Sequence, residues 1–159
     1  MNKYLFLDID DVMVTTRQHH SKKLHPKYIT CPFDKKCVVV LNKIIVELKP
    51  IIIVSSDWRT RFNLDELNEI FLDNEVKSEI TDFTPDLMGV RFNSLKEIQI
   101  CRATEILDYV EKNKINNWVA VDDYNLNPWI PDNFVHCTRS NEGIRQCGIK
   151  DKILNILKN

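Results

Sequence analysis

Three short apolar runs in this chain each end abruptly in polar groups. Tyr4-Leu5-Phe6-Leu7 runs into Asp8-Ile9-Asp10-Asp11, Ile51-Ile52-Ile53-Val54 into Ser55-Ser56, and Trp118-Val119-Ala120-Val121 into Asp122-Asp123. An unbroken apolar run of this length is what a strand needs when both of its faces are covered. Between the runs, apolar residues return at helical spacing. Val38, Leu41, Ile44, Ile45 and Leu48 do so ahead of Pro50, with Asp34 placed to cap the helix. Leu64, Leu67, Ile70 and Phe71 do so after Asn63, and Ile98, Cys101, Ile106, Leu107 and Val110 do so within Leu95 to Lys112. A short strand is expected near 78–81, a last one over 133–137, and a closing amphipathic helix over 144–157, broken near Gly148.

Strands alternating with helices predict an α/β three-layer sandwich around a mainly parallel sheet. In such sheets ligands bind beyond the carboxyl ends of the strands, which is where the three polar endings would converge. The chain has 159 residues, a length that suits a single domain over 1–159. Its 43% hydrophobic and 28% charged content is enough apolar material for a core. A net charge of -1 gives no global basic field for nucleic acid, though a local patch is compatible with it. Only three glycines are present, and no GxGxxG follows the first run, which excludes a dinucleotide-binding Rossmann loop. No apolar run approaches a membrane span, and the run before Asp8 is too short for a secretory signal, so a cytoplasmic location is expected. Five cysteines without a CxxC pair read as free thiols of a reducing compartment.

Carboxylates gathered at neighbouring strand ends repel one another, and a cation between them makes the cluster tolerable. Mg²⁺ prefers oxygen ligands, takes few from protein, and keeps water and phosphate oxygens for the rest. Asp8 and Asp122 are the leading side-chain ligands. Asp10 is assigned its backbone carbonyl, and Asp123 a supporting or alternate place. The competing reading has these aspartates simply capping turns and helices.

Phe6-Leu7-Asp8-Ile9-Asp10-Asp11-Val12-Met13 resembles the first motif of haloacid dehalogenase (HAD) phosphatases, an apolar strand followed by Asp-x-Asp. Ile51 to Ser55 resembles the second motif, and Val119 to Asp123 the fourth. Ser55-Ser56-Asp57-Trp58-Arg59 and Arg102-Ala103-Thr104-Glu105-Ile106 look like the small HAD domains of RNA-repair proteins in particular. The resemblance covers nearly the whole chain and implies a Rossmannoid HAD fold. It also implies a magnesium-dependent phosphatase. Asp8 would attack phosphorus and form an aspartyl-phosphate. Asp10 would protonate the leaving oxygen and then deprotonate water. Ser55, with Ser56, would hydrogen-bond the phosphoryl group, and Arg102 would supply the fixed positive charge of the third motif. Lys96 and Arg91 are rivals for that last role; Arg102 stands one helix and a turn ahead of Asp122.

The sequence departs from the family pattern at Asp11, where Gly is usual. That adds charge and removes backbone freedom at a tight turn. A catalytically weak binding module is the reading this residue favours, whereas Asp8, Asp10, Ser55, Arg102 and Asp122 favour an enzyme. Arg59 is assigned to substrate binding as a phosphate clamp, against an alternative in which it pairs with Asp57 or Asp65. Trp58 reads as core packing rather than a stacking platform. Residues 15–33 read as a polar flap. Its His19, His20 and His25, with Cys31 and Cys37, match no common zinc spacing. Its Arg17, Lys22, Lys23 and Lys27 read first as solvated surface, with contact to a nucleic-acid backbone as the other option. Arg139 reads as a loop residue. The intervals between motifs leave little room for a cap, so an open site is expected. An open site suits a bulky substrate such as a phosphorylated nucleic-acid end, with a small phosphorylated metabolite as the alternative.

Overall fold

A computed structural model describes residues 1–87 and 94–158. Five strands form one sheet: β1 (Tyr4–Leu7), β2 (Ile51–Val54), β3 (Ile80–Phe83), β4 (Trp118–Asp122) and β5 (Phe134–His136). Their order is β3-β2-β1-β4-β5, and every pairing is parallel. The register sets Leu7 beside both Val54 and Val121, so the three polar endings come out level. Asp8 N–H donates to the Val121 carbonyl and Ser55 N–H to the Leu7 carbonyl, tying those endings together.

The helices are α1 (Thr16–His19), α2 (Lys35–Leu48), α3 (Leu64–Asp73), α4 (Leu95–Lys112) and α5 (Ile149–Lys158). Alternate side chains of each central strand go to opposite faces, as a pleated strand requires. Leu5, Leu7, Ile52, Val54, Val119 and Val121 join residues of α2, α3 and α5 in one core. Phe6, Ile53 and Ala120 join Ala103 and Ile106 of α4 in the other. Helices therefore cover both faces, and the α/β sandwich expected from the apolar runs is the observed fold.

Local chemistry explains the element boundaries. The Asp34 side chain caps α2 by accepting from the Lys36 N–H, as expected. Asn63 and Glu66 form a reciprocal capping box at the start of α3. One boundary differs from the sequence reading, and one expected break is present. The third strand spans Ile80–Phe83, starting inside the 78–81 window and running two residues past it, with Asn68 of α3 bonding both the N–H and the carbonyl of Ile80. The closing helix is split: a 3-10 turn spans Gly143–Arg145, and α5 starts after Gly148, whose φ is +83°. Flap residues 15–33 carry the one-turn α1 and turns, held to α3 by His25, which donates through Nε2 to Asp73 at 2.8 Å. No helix among the described residues is long and apolar enough to cross a membrane.

Candidate active site

The site sits at the carboxyl ends of β1, β2 and β4. Asp8, Asp122 and Asp123 each offer a carboxylate oxygen, all within 4.8 Å of one another. Asp8 and Asp122 are buried, which strips their charges of water. Burial, then the facing Asp122 carboxylate, raises the pKa of Asp8 well above its ordinary value. Burial pushes Asp122 up to about 7 against the pull of Arg102. Asp123 is raised by burial and by the Asp11 carboxylate. The protein's own cations thus leave this cluster short of positive charge. A set of carboxylate oxygens in that condition fits a hard divalent cation.

The cation the protein does supply is Arg102, on the face of α4 that meets the sheet. It is 2% exposed. Its Nη1 lies 3.2 Å from Asp8 Oδ1 and 3.2 Å from Asp122 Oδ2, and also donates to the Ser55 carbonyl. Its Nη2 donates to Asp57 Oδ1 at 2.9 Å. Burial alone would lower its pKa, but the surrounding carboxylates outweigh burial and raise it, so the guanidinium stays charged. Lys96 lies exposed in the first turn of α4, and Arg91 falls outside the described residues.

Ser55 and Ser56 are buried, and neither hydroxyl has a hydrogen-bond partner among the described residues. Buried hydroxyls without partners are costly, and two beside a guanidinium mark a place suited to an anionic ligand. Asp10 differs from Asp8 in being half exposed, with 49% of its side chain open to solvent. Its Oδ2 accepts the indole N–H of Trp58 at 2.9 Å, and its Oδ1 lies 4.0 Å from His19 Nε2.

The family comparison decides what this arrangement belongs to. Residues 4–146 match the family described as the HAD domain in Swiss Army Knife RNA repair proteins. The chain belongs to that family. No curated protein and no solved structure matches it significantly. Membership places this HAD domain in a hydrolase superfamily, in accord with the motifs read from its strand ends.

Asp8, Ser55, Ser56, Arg102, Asp122 and Asp123 are brought together as the motif order suggests. Arg59, expected as a substrate clamp, does not join them and is placed against Glu105 and Thr84. Its side chain is 3% exposed and its Nη2 lies 2.7 Å from Glu105 Oε2. Its Nη1 donates to Thr84 Oγ1 at 3.1 Å. Glu105, rather than Asp57 or Asp65, takes its charge. The physical reason is burial: α4 sets Glu105 fully inside this HAD domain, and a buried carboxylate needs a partner. Among the described residues the flap histidines join no group of metal-ligating side chains. His25 bonds Asp73, His20 bonds the Thr16 carbonyl, and His19 lies 3.4 Å from Asp11 Oδ1.

Asp11, where the sequence departs from the family pattern, holds a left-handed φ of +55°. Aspartate tolerates that region better than most residues.

Sequence reasoning missed the roles of Asp57 and Glu105, and of the Trp58 indole N–H. Glu105 carried one signal: it stands three residues after Arg102, on the same helix face.

Proposed function

We propose that this HAD domain is a magnesium-dependent phosphomonoesterase that works through an aspartyl-phosphate on Asp8. The observation that carries the reading is Arg102, 3.2 Å from both Asp8 and Asp122 and bonded to the Ser55 carbonyl, with the Ser55 and Ser56 hydroxyls unpartnered among the described residues. Asp8, Asp122 and Asp123, with the backbone carbonyl of Asp10, are the groups that would hold Mg²⁺. When bound, the ion neutralises the carboxylates and phosphoryl oxygens so that one anion can approach another.

The chain's own residues divide the remaining work. Asp8 attacks phosphorus, and the bond from phosphorus to the leaving oxygen breaks. Asp10 gives that oxygen a proton, which its partial exposure beside the buried Asp8 permits. Asp10 then takes a proton from water, which attacks the aspartyl-phosphate, frees inorganic phosphate and restores Asp8. Ser55 and Ser56 donate to the phosphoryl oxygens, and Arg102 stabilises the charge that grows on them.

The favoured substrate is a phosphorylated nucleic-acid end. The family's description ties such domains to RNA repair. The described parts of the flap and of the β3–α4 connection add one short helix and turns, with no folded cap over Asp10. The test is Mg²⁺-dependent phosphate release from an aryl phosphate and from 3′- and 5′-phosphorylated oligonucleotides. Release that requires Mg²⁺ and falls at least about a thousandfold in Asp8→Asn is expected. Preference for the aryl or a metabolite phosphate over both oligonucleotides would overturn the substrate assignment. Activity retained in Asp8→Asn would overturn the nucleophile.

A further inference from the structure

We infer that Trp58 is a positioning residue for Asp10, holding its carboxylate in one rotamer for the general-acid step. This rests on the proposed phosphomonoester hydrolysis.

Trp58 lies in the 3-10 turn directly after the Ser55-Ser56 ending of β2. It is 3% exposed, so its face is closed to any nucleic-acid base. Phe33 and Phe62 pack at its ring, with centroids at 6.1 and 5.7 Å, and fix where the indole N–H points. That N–H meets Asp10 Oδ2 at 2.9 Å.

Packing alone does not require this bond. Asp10 has 49% of its side chain in solvent, where water would satisfy it and leave it free to change rotamer. The indole is a donor only. An N–H held by a buried aromatic cluster therefore acts as a fixed peg. It selects one rotamer of Asp10 and engages Oδ2 as an acceptor. The other oxygen, Oδ1, takes no bond from the indole and lies 4.0 Å from His19 Nε2 of the flap.

In the first step the Asp10 carboxyl proton passes to the leaving oxygen as the phosphorus–oxygen bond breaks and Asp8 becomes phosphorylated. Asp10 is left as a carboxylate, stabilised by the indole N–H. A leaving group that departs readily as an anion needs little of this help, and an alkoxide needs all of it.

The experiment compares kcat/KM for p-nitrophenyl phosphate and benzyl phosphate in the Mg²⁺-loaded wild type, Trp58→Phe, Asp10→Asn and the double variant. Phenylalanine keeps the aromatic packing and removes the N–H. General acid catalysis supplies roughly 10²–10⁴-fold. Losing its orientation should lower the benzyl-to-nitrophenyl ratio about tenfold in Trp58→Phe. In the Asp10→Asn background the Trp58 change should leave the ratio where Asp10→Asn alone puts it. Equal slowing of both substrates by Trp58→Phe would mean a purely structural residue and overturn the inference. A wild type inactive on both substrates and on the phosphorylated oligonucleotides would instead sink the phosphatase reading. A second measurement stands whether or not Trp58→Phe folds: the indole N–H resonances of Trp58, Trp118 and Trp129 in wild type and Asp10→Asn. The Trp58 signal should move most, and a Trp58 signal indifferent to Asp10→Asn would overturn the contact itself.

Discussion

Gly143 is far from Asp8 in sequence, yet it shapes the loop on which Asp8 and Asp10 sit. Its φ is +55°, and a Cβ built there would lie 2.2 Å from the Val12 carbonyl oxygen and 3.3 Å from that of Asp11. The next residue, Ile144, donates its N–H to the same Val12 carbonyl at 2.9 Å. Asp11 itself holds the left-handed conformation at the turn. The close backbone approach still needs glycine, and Gly143 provides it. Gly143→Ala combines overpacking against backbone with a strained φ. It should destabilise the protein by roughly 2–4 kcal/mol, measured by urea unfolding. Activity should fall as well, because Val12 can yield only by moving the loop that carries Asp10. A variant with unchanged stability would show that the loop has room the distances deny.

At the scale of elements, the site depends on how α4 docks against the turn after β2. Each supplies one acid and one base, in opposite sense. Arg102 of α4 meets Asp57 of the turn at 2.9 Å, and Glu105 of α4 meets Arg59 of the turn at 2.7 Å. Glu105 Oε1 also accepts the Leu87 N–H at 3.0 Å, so the connection after β3 is drawn in too. Removing one partner of a buried pair leaves the other charge uncompensated, which costs about 3–5 kcal/mol. Arg59→Met should therefore destabilise by about that much. The double variant Arg59→Met/Glu105→Gln should recover a large part of the loss, a coupling that thermal or urea unfolding of the cycle would measure. Additive losses would mean that the two residues act separately. This brace also marks where the sequence stopped being legible. Asp8, Ser55 and Asp122 were readable because each terminates an apolar run, and strand register alone brings such endings level. Arg102 was readable from its interval to β4. The pairing of Arg59 with Glu105, and of Trp58 with Asp10, crosses more than forty residues between elements. No local periodicity encodes which of several nearby charges a buried side chain will meet, so the sequence does not show that Arg59 pairs with Glu105.

For the molecule as a whole, the acidic cluster couples folding to pH and to metal. Asp122 titrates at about 7 in the folded protein against an ordinary value of 3.8. Between those values the folded state holds a proton that the unfolded state has lost, so unfolding releases it. Stability of the metal-free protein must then fall as pH rises from about 4 to about 7. Asp8 and Asp123 are shifted in the same direction and steepen the fall. A divalent cation held by these carboxylates favours their charged forms, and it competes with protons for them. Mg²⁺ should thus raise the melting temperature more near pH 8 than near pH 5, because at the lower pH it must first displace protons. Melting curves with chelator and with Mg²⁺ at both pH values measure this directly. Asp122→Asn is the control: losing the titrating carboxylate should flatten the pH dependence in chelator and weaken the Mg²⁺ effect at the higher pH. A Mg²⁺ gain that is the same at both pH values, or that survives Asp122→Asn undiminished, would place the ion elsewhere on the surface. It would also leave the buried carboxylates to be neutralised by protons and Arg102 alone.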